Sequence, residues 1–250
     1  MRPVTKLLPF AVLCALVVMT VSAGCGESVE AQKPKLDTPS TSNKEAAPME
    51  QKAAPAETPT TETALTGPTA TLTFIQGGAT KTKEVPYLAP GRKIATVETT
   101  QGTIKIELWE SKAPNTVVNF VSLANAGRYD GVDFHRVIEG FMAQTGDVEH
   151  KGGFGGPGYT IPAEFDASLK HVRGVVSMAR SSEPDSAGSQ FFIMFGAAPN
   201  LDGQYAAFGQ VISGMDVVDK LKKGDRAKNG TVTSPDKIVK LRVESVPAQE

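Results

Sequence analysis

Apolar residues are distributed along this chain in three regimes. Leu7 to Val21 is an almost unbroken apolar run. From Gly26 to Thr73 there is no aromatic residue, and Thr, Pro, Ala, Lys and Glu dominate. Such a stretch cannot bury enough apolar surface to offset the entropy of ordering it, so residues 25–69 read as a disordered tether. From Ile94 onward the pattern becomes that of a folded domain. Ile94 to Thr99 and Thr103 to Trp109 flank a turn at Gln101-Gly102, with Ile104, Ile106 and Leu108 on one face, which predicts a hairpin. Pro114 suits the first turn of a helix, Val117, Phe120, Val121 and Ala124 recur at helical spacing, and Gly127 supplies a stop. A second helix carries Met215, Val218 and Leu221 and ends near Gly224. The other apolar runs are short and strand-like: Val132 to Ile138, Val172 to Ala179, Gln190 to Phe195, Ala206 to Val211 and Ile238 to Val246. Many short strands with two helices predict a mainly β domain over 93–247, a closed antiparallel barrel capped by the helices. Residues 70–92 are ambiguous. Leu72 and Phe74 alternate with Thr, and Gly77-Gly78 offers a short hairpin turn, but the pattern does not say whether this segment packs on the barrel.

The amino terminus predicts export. Arg2 and Lys6 precede the apolar run, and the small residues Ser22, Ala23 and Gly24 follow it, the layout of a signal peptide over 1–24. The run is short for a membrane span of about 20 residues, which ranks a permanent anchor helix second. Only Cys14 and Cys25 occur, so the domain is expected to hold no disulfide, no thiolate nucleophile and no thiolate metal site. Ser22-Ala23-Gly24-Cys25 resembles the lipobox of bacterial lipoproteins, with Ser22 where an aliphatic residue is usual. That resemblance implies that Cys25 carries acyl chains, each stabilising the anchor by about 0.8 kcal/mol per buried methylene. A membrane-anchored lipoprotein of the cell envelope, facing outside the cytoplasm, is the location expected. Pro34, Pro39, Pro48, Pro55, Pro59 and Pro68 stiffen the tether, whose function is reach. A net charge of −1, with no Lys and Arg run interleaved with aromatics, argues against nucleic acid as a partner.

Three segments carry the chemistry: Phe134 to Gln144, then Ser177 to Arg180 leading to Gly188 to Ile193, and Asn200 to Gly209. They combine one guanidinium, side-chain amides and several large apolar residues, the few polar groups on an apolar floor expected of a binding cleft. Each closely resembles a motif of the cyclophilin family of peptidyl-prolyl cis/trans isomerases, in the family's order and nearly its spacing, over about Ile94 to Val246. The resemblance implies the following roles. Arg136 donates to the prolyl nitrogen, and Gln144 holds the substrate carbonyl. Phe141, Met142, Phe192 and Leu201 form the proline pocket. The backbone at Arg180 pairs with extended peptide, Gln190 supports Arg136 and the floor, and Tyr205 stands where many eukaryotic members have His. It further implies proline-containing polypeptides as partners, no cofactor and no metal; a monomer is expected.

Two departures bear on this. Asn200 occupies the position of the Trp of cyclosporin-sensitive members, while Trp109 is placed in the core of the early hairpin. The loop Ala179 to Ala187 is one residue longer than the eukaryotic form and similar to the bacterial branch. Other motifs fail. Gly153 to Gly158 matches G-x-G-x-x-G but runs into Pro157 rather than a helix, so it reads as a flexible loop. His135, His150 and His171 show no ligand spacing, and Ser189 lacks the G-x-S-x-G frame. Two rivals to an enzyme stay open: a prolyl-peptide-binding chaperone or scaffold of the same fold, and an envelope-structural lipoprotein.

Overall fold

The computed structural model describes residues 67–247. The signal peptide 1–24, Cys25 and all but the last three residues of the tether lie outside the described residues. Two strands come first, β1 (Thr69–Gln76) and β2 (Ala79–Pro86), antiparallel around Gly77-Gly78, both at positive φ as a two-residue hairpin turn requires. Leu72 and Val85 are buried with the main core, so this hairpin is packed on the domain.

Next come β3 (Arg92–Thr99) and β4 (Gly102–Leu108), then helix α1 (Pro114–Asn125), with Pro114 in its first turn and Gly127 at φ 71° just beyond its end. There follow β5 (Arg136–Ile138), β6 (Met142–Thr145), β7 (Val175–Met178), β8 (Phe191–Met194), β9 (Ala207–Ser213), helix α2 (Met215–Lys220) and β10 (Ile238–Val246). Eight of these strands form one antiparallel sheet in the order β10-β3-β4-β9-β7-β8-β6-β5. On its inner face Phe120 of α1 meets Tyr129, Phe191 and Phe208 at ring-centre distances of 5.2–5.3 Å, the centre of the main core.

The expected closure of the barrel is not found. β10 and β5 are the two edges of a curled, open sheet, and the segments leading into them meet at the isolated bridge Asp133↔Lys237 and a bond from Gly131 N–H to Ile238 O (2.7 Å) without forming a ladder between the two strands. The reason is competition for an edge. The outer side of β5 is taken by Gly230 to Val232, which receives Val137 N–H on Gly230 O (2.8 Å) and donates Val232 N–H to His135 O (3.1 Å). A nine-residue β10 therefore has no free partner in the three-residue β5. Trp109 also departs from expectation. It is only partly buried, against a second, smaller cluster built on Met142, Phe192, Met194 and Leu201.

Candidate active site

Strand register creates the site. Arg136 pairs with Gln144 across β5 and β6, and Gln144 pairs with Phe192 across β6 and β8. Residues directly opposite in adjacent strands point to the same face, so these three side chains stand in one row on the face away from the main core. Alternation along each strand does the rest: Val137, Ala143 and Ile193 go inward, while Met142 and Met194 join the smaller cluster beneath the row. A turn from Ile138 to Phe141, with Gly140 at φ 73°, brings Phe141 alongside, and Phe195 N–H fixes the Phe141 carbonyl at 2.9 Å. Leu201 enters from the short 3-10 turn Pro199–Leu201.

The result is a cleft of about 170 Å³ lined by Arg136, Phe141, Met142, Gln144, Ala179, Arg180, Phe192, Leu201 and Tyr205. Eight residues singled out from the sequence thus share one concavity. The ninth, Gln190, lies next to it. Gln144 Nε2 donates to Gln190 Oε1 (2.9 Å), and Gln190 Nε2 donates to the carbonyls of Gly153 and Gly155 (both 2.9 Å). Those contacts orient the Gln144 amide so that its Oε1 accepts from Arg136 Nη1 at 3.2 Å. On its other side Arg136 is held by Asn229, Nε donating to the backbone carbonyl (2.9 Å) and Nη2 to Oδ1 (3.0 Å). Three of the five N–H groups of a guanidinium are therefore committed to oxygens, leaving one on each terminal nitrogen. The Nη1 group also faces Met142 Sδ at 3.9 Å, a weak acceptor that a better one displaces. Burial pulls the Arg136 guanidinium below its usual value, opposed by Tyr205; an arginine remains charged at neutral pH regardless.

Arg180 lies with its guanidinium 4.6 Å from the Tyr205 ring centre, and its Nε donates to Gln204 O at 2.9 Å. Phe192 meets Tyr205 edge-on at 5.8 Å. Behind Phe192, stacked 6.3 Å away, is buried His171, whose Nδ1–H donates to Asp202 Oδ1 (3.1 Å) while Nε2 accepts from the Ser177 hydroxyl (3.1 Å). Burial holds this imidazole below its ordinary value, against the opposing pull of Asp202. The sequence marks His171 as a structural or surface residue rather than a metal ligand; its hydrogen-bond partners lie 6 and 31 positions away, with no local signal.

Three further residues were missed. Asn229, at φ 55°, caps the short turn Arg226–Lys228 in the left-handed conformation that asparagine tolerates, and Gly230 after it leaves no space for a side chain against Ile138. An Asn-Gly pair was the available clue. The carbonyls of Gly153 and Gly155 belong to the loop read as flexible, yet Asp147 gathers it by accepting from Gly153 N–H at 2.7 Å. Next to the cleft, this loop walls a second groove of about 460 Å³ that shares Gln144, Ala179 and Arg180 with it.

Residues 94–243 match the family model described as cyclophilin type peptidyl-prolyl cis-trans isomerase/CLD. The chain belongs to the cyclophilin family. Over 155 residues it is 52% identical to a Brucella suis protein named "Probable peptidyl-prolyl cis-trans isomerase", an alignment spanning 58% of this chain and 79% of the relative. A Helicobacter pylori peptidyl-prolyl cis-trans isomerase is 47% identical over 134 residues, spanning 52% and 81% of the two chains. Among solved structures, a Cryptosporidium parvum cyclophilin crystallised in the presence of the dipeptide Ala-Pro superposes with a TM-score of 0.56 at 33% identity, covering 61% of this chain and 99% of that one. This cyclophilin is accordingly a peptidyl-prolyl cis-trans isomerase.

Proposed function

We propose that this cyclophilin accelerates X-Pro rotation in polypeptides folding outside the cytoplasm, with Arg136 stabilising the twisted amide above an apolar proline pocket. Conjugation of the nitrogen lone pair with the carbonyl sets a rotation barrier of about 18–20 kcal/mol, and uncatalysed X-Pro exchange takes roughly 10–100 s. As the amide twists, the lone pair localises on nitrogen and becomes a hydrogen-bond acceptor. A donor waiting there binds the twisted form better than either planar form, and each 1.36 kcal/mol of that preference is worth about tenfold in rate. Such a step calls for no nucleophile, metal or cofactor.

The observation that carries the reading is the Arg136 guanidinium, clamped between Gln144 and Asn229 with an N–H free on each terminal nitrogen, on the rim of a slot floored by Met142, Phe192 and Leu201. Fixed donors cost little reorganisation when charge develops. Phe141, Met142, Phe192 and Leu201 take the proline ring, and Gln144 holds the substrate carbonyl through its amide. Arg180 supplies main-chain groups for extended peptide; among the described residues none hydrogen-bonds to its backbone. Gln190 keeps the Gln144 amide in orientation, and the Tyr205 phenol closes the rim.

A protease-coupled assay on a short X-Pro peptide tests this. Arg136→Ala is expected to lower kcat/KM by about 10²–10³, the loss typical of removing one preorganised donor. Equal rates for the two proteins would leave a prolyl-peptide binder of the same fold as the better reading. For location, acylation at Cys25 and tethering to the envelope membrane form part of the proposal. It is supported by the apolar run, the small residues before Cys25 and the Pro-rich segment after it. Fatty-acid labelling that is present in the natural chain and absent in Cys25→Ala is expected; an unlabelled natural chain would refute the anchor.

A further inference from the structure

We infer that the β1–β2 hairpin, which lies outside the family-matched residues 94–243, positions one wall of the substrate groove beside the proline cleft and so sets how tightly residues flanking the X-Pro bond are held. The inference rests on the reading that substrate peptide occupies the cleft and continues into the neighbouring groove.

That groove has Pro157 to Thr160 along one side and Gly188 to Gln190 along another. The first side is joined to the hairpin by an isolated antiparallel bridge between Ile75 and Thr160. Ile75 N–H donates to Thr160 O at 2.7 Å, Thr160 N–H returns to Ile75 O at 3.0 Å, and Gln76 Nε2 donates to Gly158 O at 3.2 Å. The Tyr159 side chain is gripped as well. Its ring lies 5.2 Å from that of Phe74, and Lys83 Nζ stands 5.0 Å from the Tyr159 ring centre and 5.4 Å from that of Phe74. From there Tyr159 donates its hydroxyl to Asn119 Oδ1 (2.8 Å), and Asn119 Nδ2 donates to Gly188 O (2.7 Å) on the other side. A continuous set of contacts thus runs from Lys83 on the hairpin, through Tyr159 and α1, to the far wall, and adds to the direct bond of Ile161 N–H to Ala187 O (2.8 Å) in holding the two walls together.

The hairpin is seated independently of these contacts. Leu72 and Val85 are buried in the main core, and the Asn115 side chain engages both backbone groups of Thr73, accepting at 2.8 Å and donating at 2.9 Å. Loosening the groove wall therefore leaves the hairpin docked. Ile75 is suited to the test because its N–H points away from β2, toward Thr160, and proline is tolerated on such an edge. Lys83 is exposed, so its replacement bears on the aromatic contact rather than on folding.

The experiment uses the full chain and its Ile75→Pro, Lys83→Ala and Lys83→Arg variants. For each, kcat and KM are measured on a four-residue X-Pro peptide and on the same peptide extended by four residues at either end, by line-shape NMR. Ile75→Pro and Lys83→Ala are expected to raise KM for at least one extended peptide on the order of tenfold more than for the short one, with kcat on the extended peptide following that on the short one. Lys83→Arg, which keeps a cation over the two rings, is expected to match the natural chain. An unchanged ratio of extended to short KM in both disruptive variants would overturn the inference, as would proportional losses on all peptides. The control Arg136→Ala separates the two readings: unaltered rates there refute the catalytic role of Arg136, whereas unaltered length dependence in the hairpin variants refutes only the role of the hairpin.

Discussion

Replacing Arg136 by lysine isolates what the clamp around the guanidinium contributes. Arg136→Lys keeps a positive charge near the cleft but removes the planar fork that satisfies Asn229 O, Asn229 Oδ1 and Gln144 Oε1 together, at 2.9, 3.0 and 3.2 Å. An ammonium has three N–H groups on one flexible stem and cannot face Asn229, Gln144 and a substrate nitrogen in fixed directions at once. Hydrogen bonds to charged groups contribute roughly 1.5–3 kcal/mol when well desolvated. Asn229 is exposed and Arg136 half-buried, so screening brings each clamp contact down to about 1 kcal/mol or less, and folding stability should change little. The transition state fares worse, because the donor aimed at the nitrogen is no longer held in place. A loss of about 2–3 kcal/mol there corresponds to roughly 30–150-fold in kcat/KM. The protease-coupled assay reads this directly, with thermal unfolding run in parallel to confirm the fold. If Arg136→Lys stays within about threefold of the natural chain, positive charge alone is sufficient and the preorganised fork has no part in the rate.

Gln144→Glu places a carboxylate against the same guanidinium, where Oε1 now sits at 3.2 Å; the resulting ion pair competes with substrate for the free N–H groups and should lower kcat/KM by about tenfold or more, and an unchanged rate would mean the substrate does not meet that face of Arg136. Burial depresses both His135 and His171, so in the window below the unfolded value of about 6.5 the unfolded chain takes up protons that the folded one refuses. Stability is therefore expected to fall as pH drops from about 7 toward 5, with a shallower fall in His171→Gln; identical melting profiles for the two proteins would contradict the assignment. Cyclosporin should bind weakly, because the exposed Asn200 on the turn Pro199–Leu201 offers no indole face or donor, and nanomolar inhibition would refute this.

Local periodicity made most of the sheet legible. The expected run Ile238 to Val246 coincides with β10, and the hairpin around Gln101-Gly102 appears as β3 and β4, because alternation of apolar residues is written into each strand alone. Motif resemblance brought Arg136, Phe141, Met142, Gln144, Phe192, Leu201 and Tyr205 to one cleft although they span three strands and two loops. Closure of the barrel was misjudged because it depends on which segment claims the free side of β5, and Thr231-Val232-Thr233, though β-branched, is too short between Asn229-Gly230 and Ser234-Pro235 to announce that it does. Asn229 and the carbonyls of Gly153 and Gly155 stayed hidden for a related reason. They act through backbone atoms or a short polar side chain, and a sequence displays the chemistry of side chains rather than the direction of a carbonyl.

The pairing of β3 with β10 has a consequence for biosynthesis. One side of the early strand β3 is paired at once by β4, but its other side waits for a mate that is made more than 130 residues later, after every residue of the cleft has already been synthesised. On a translating ribosome the domain is therefore expected to complete its sheet only when its final stretch emerges. Turnover should begin at once when that stretch is released rather than build up with chain growth.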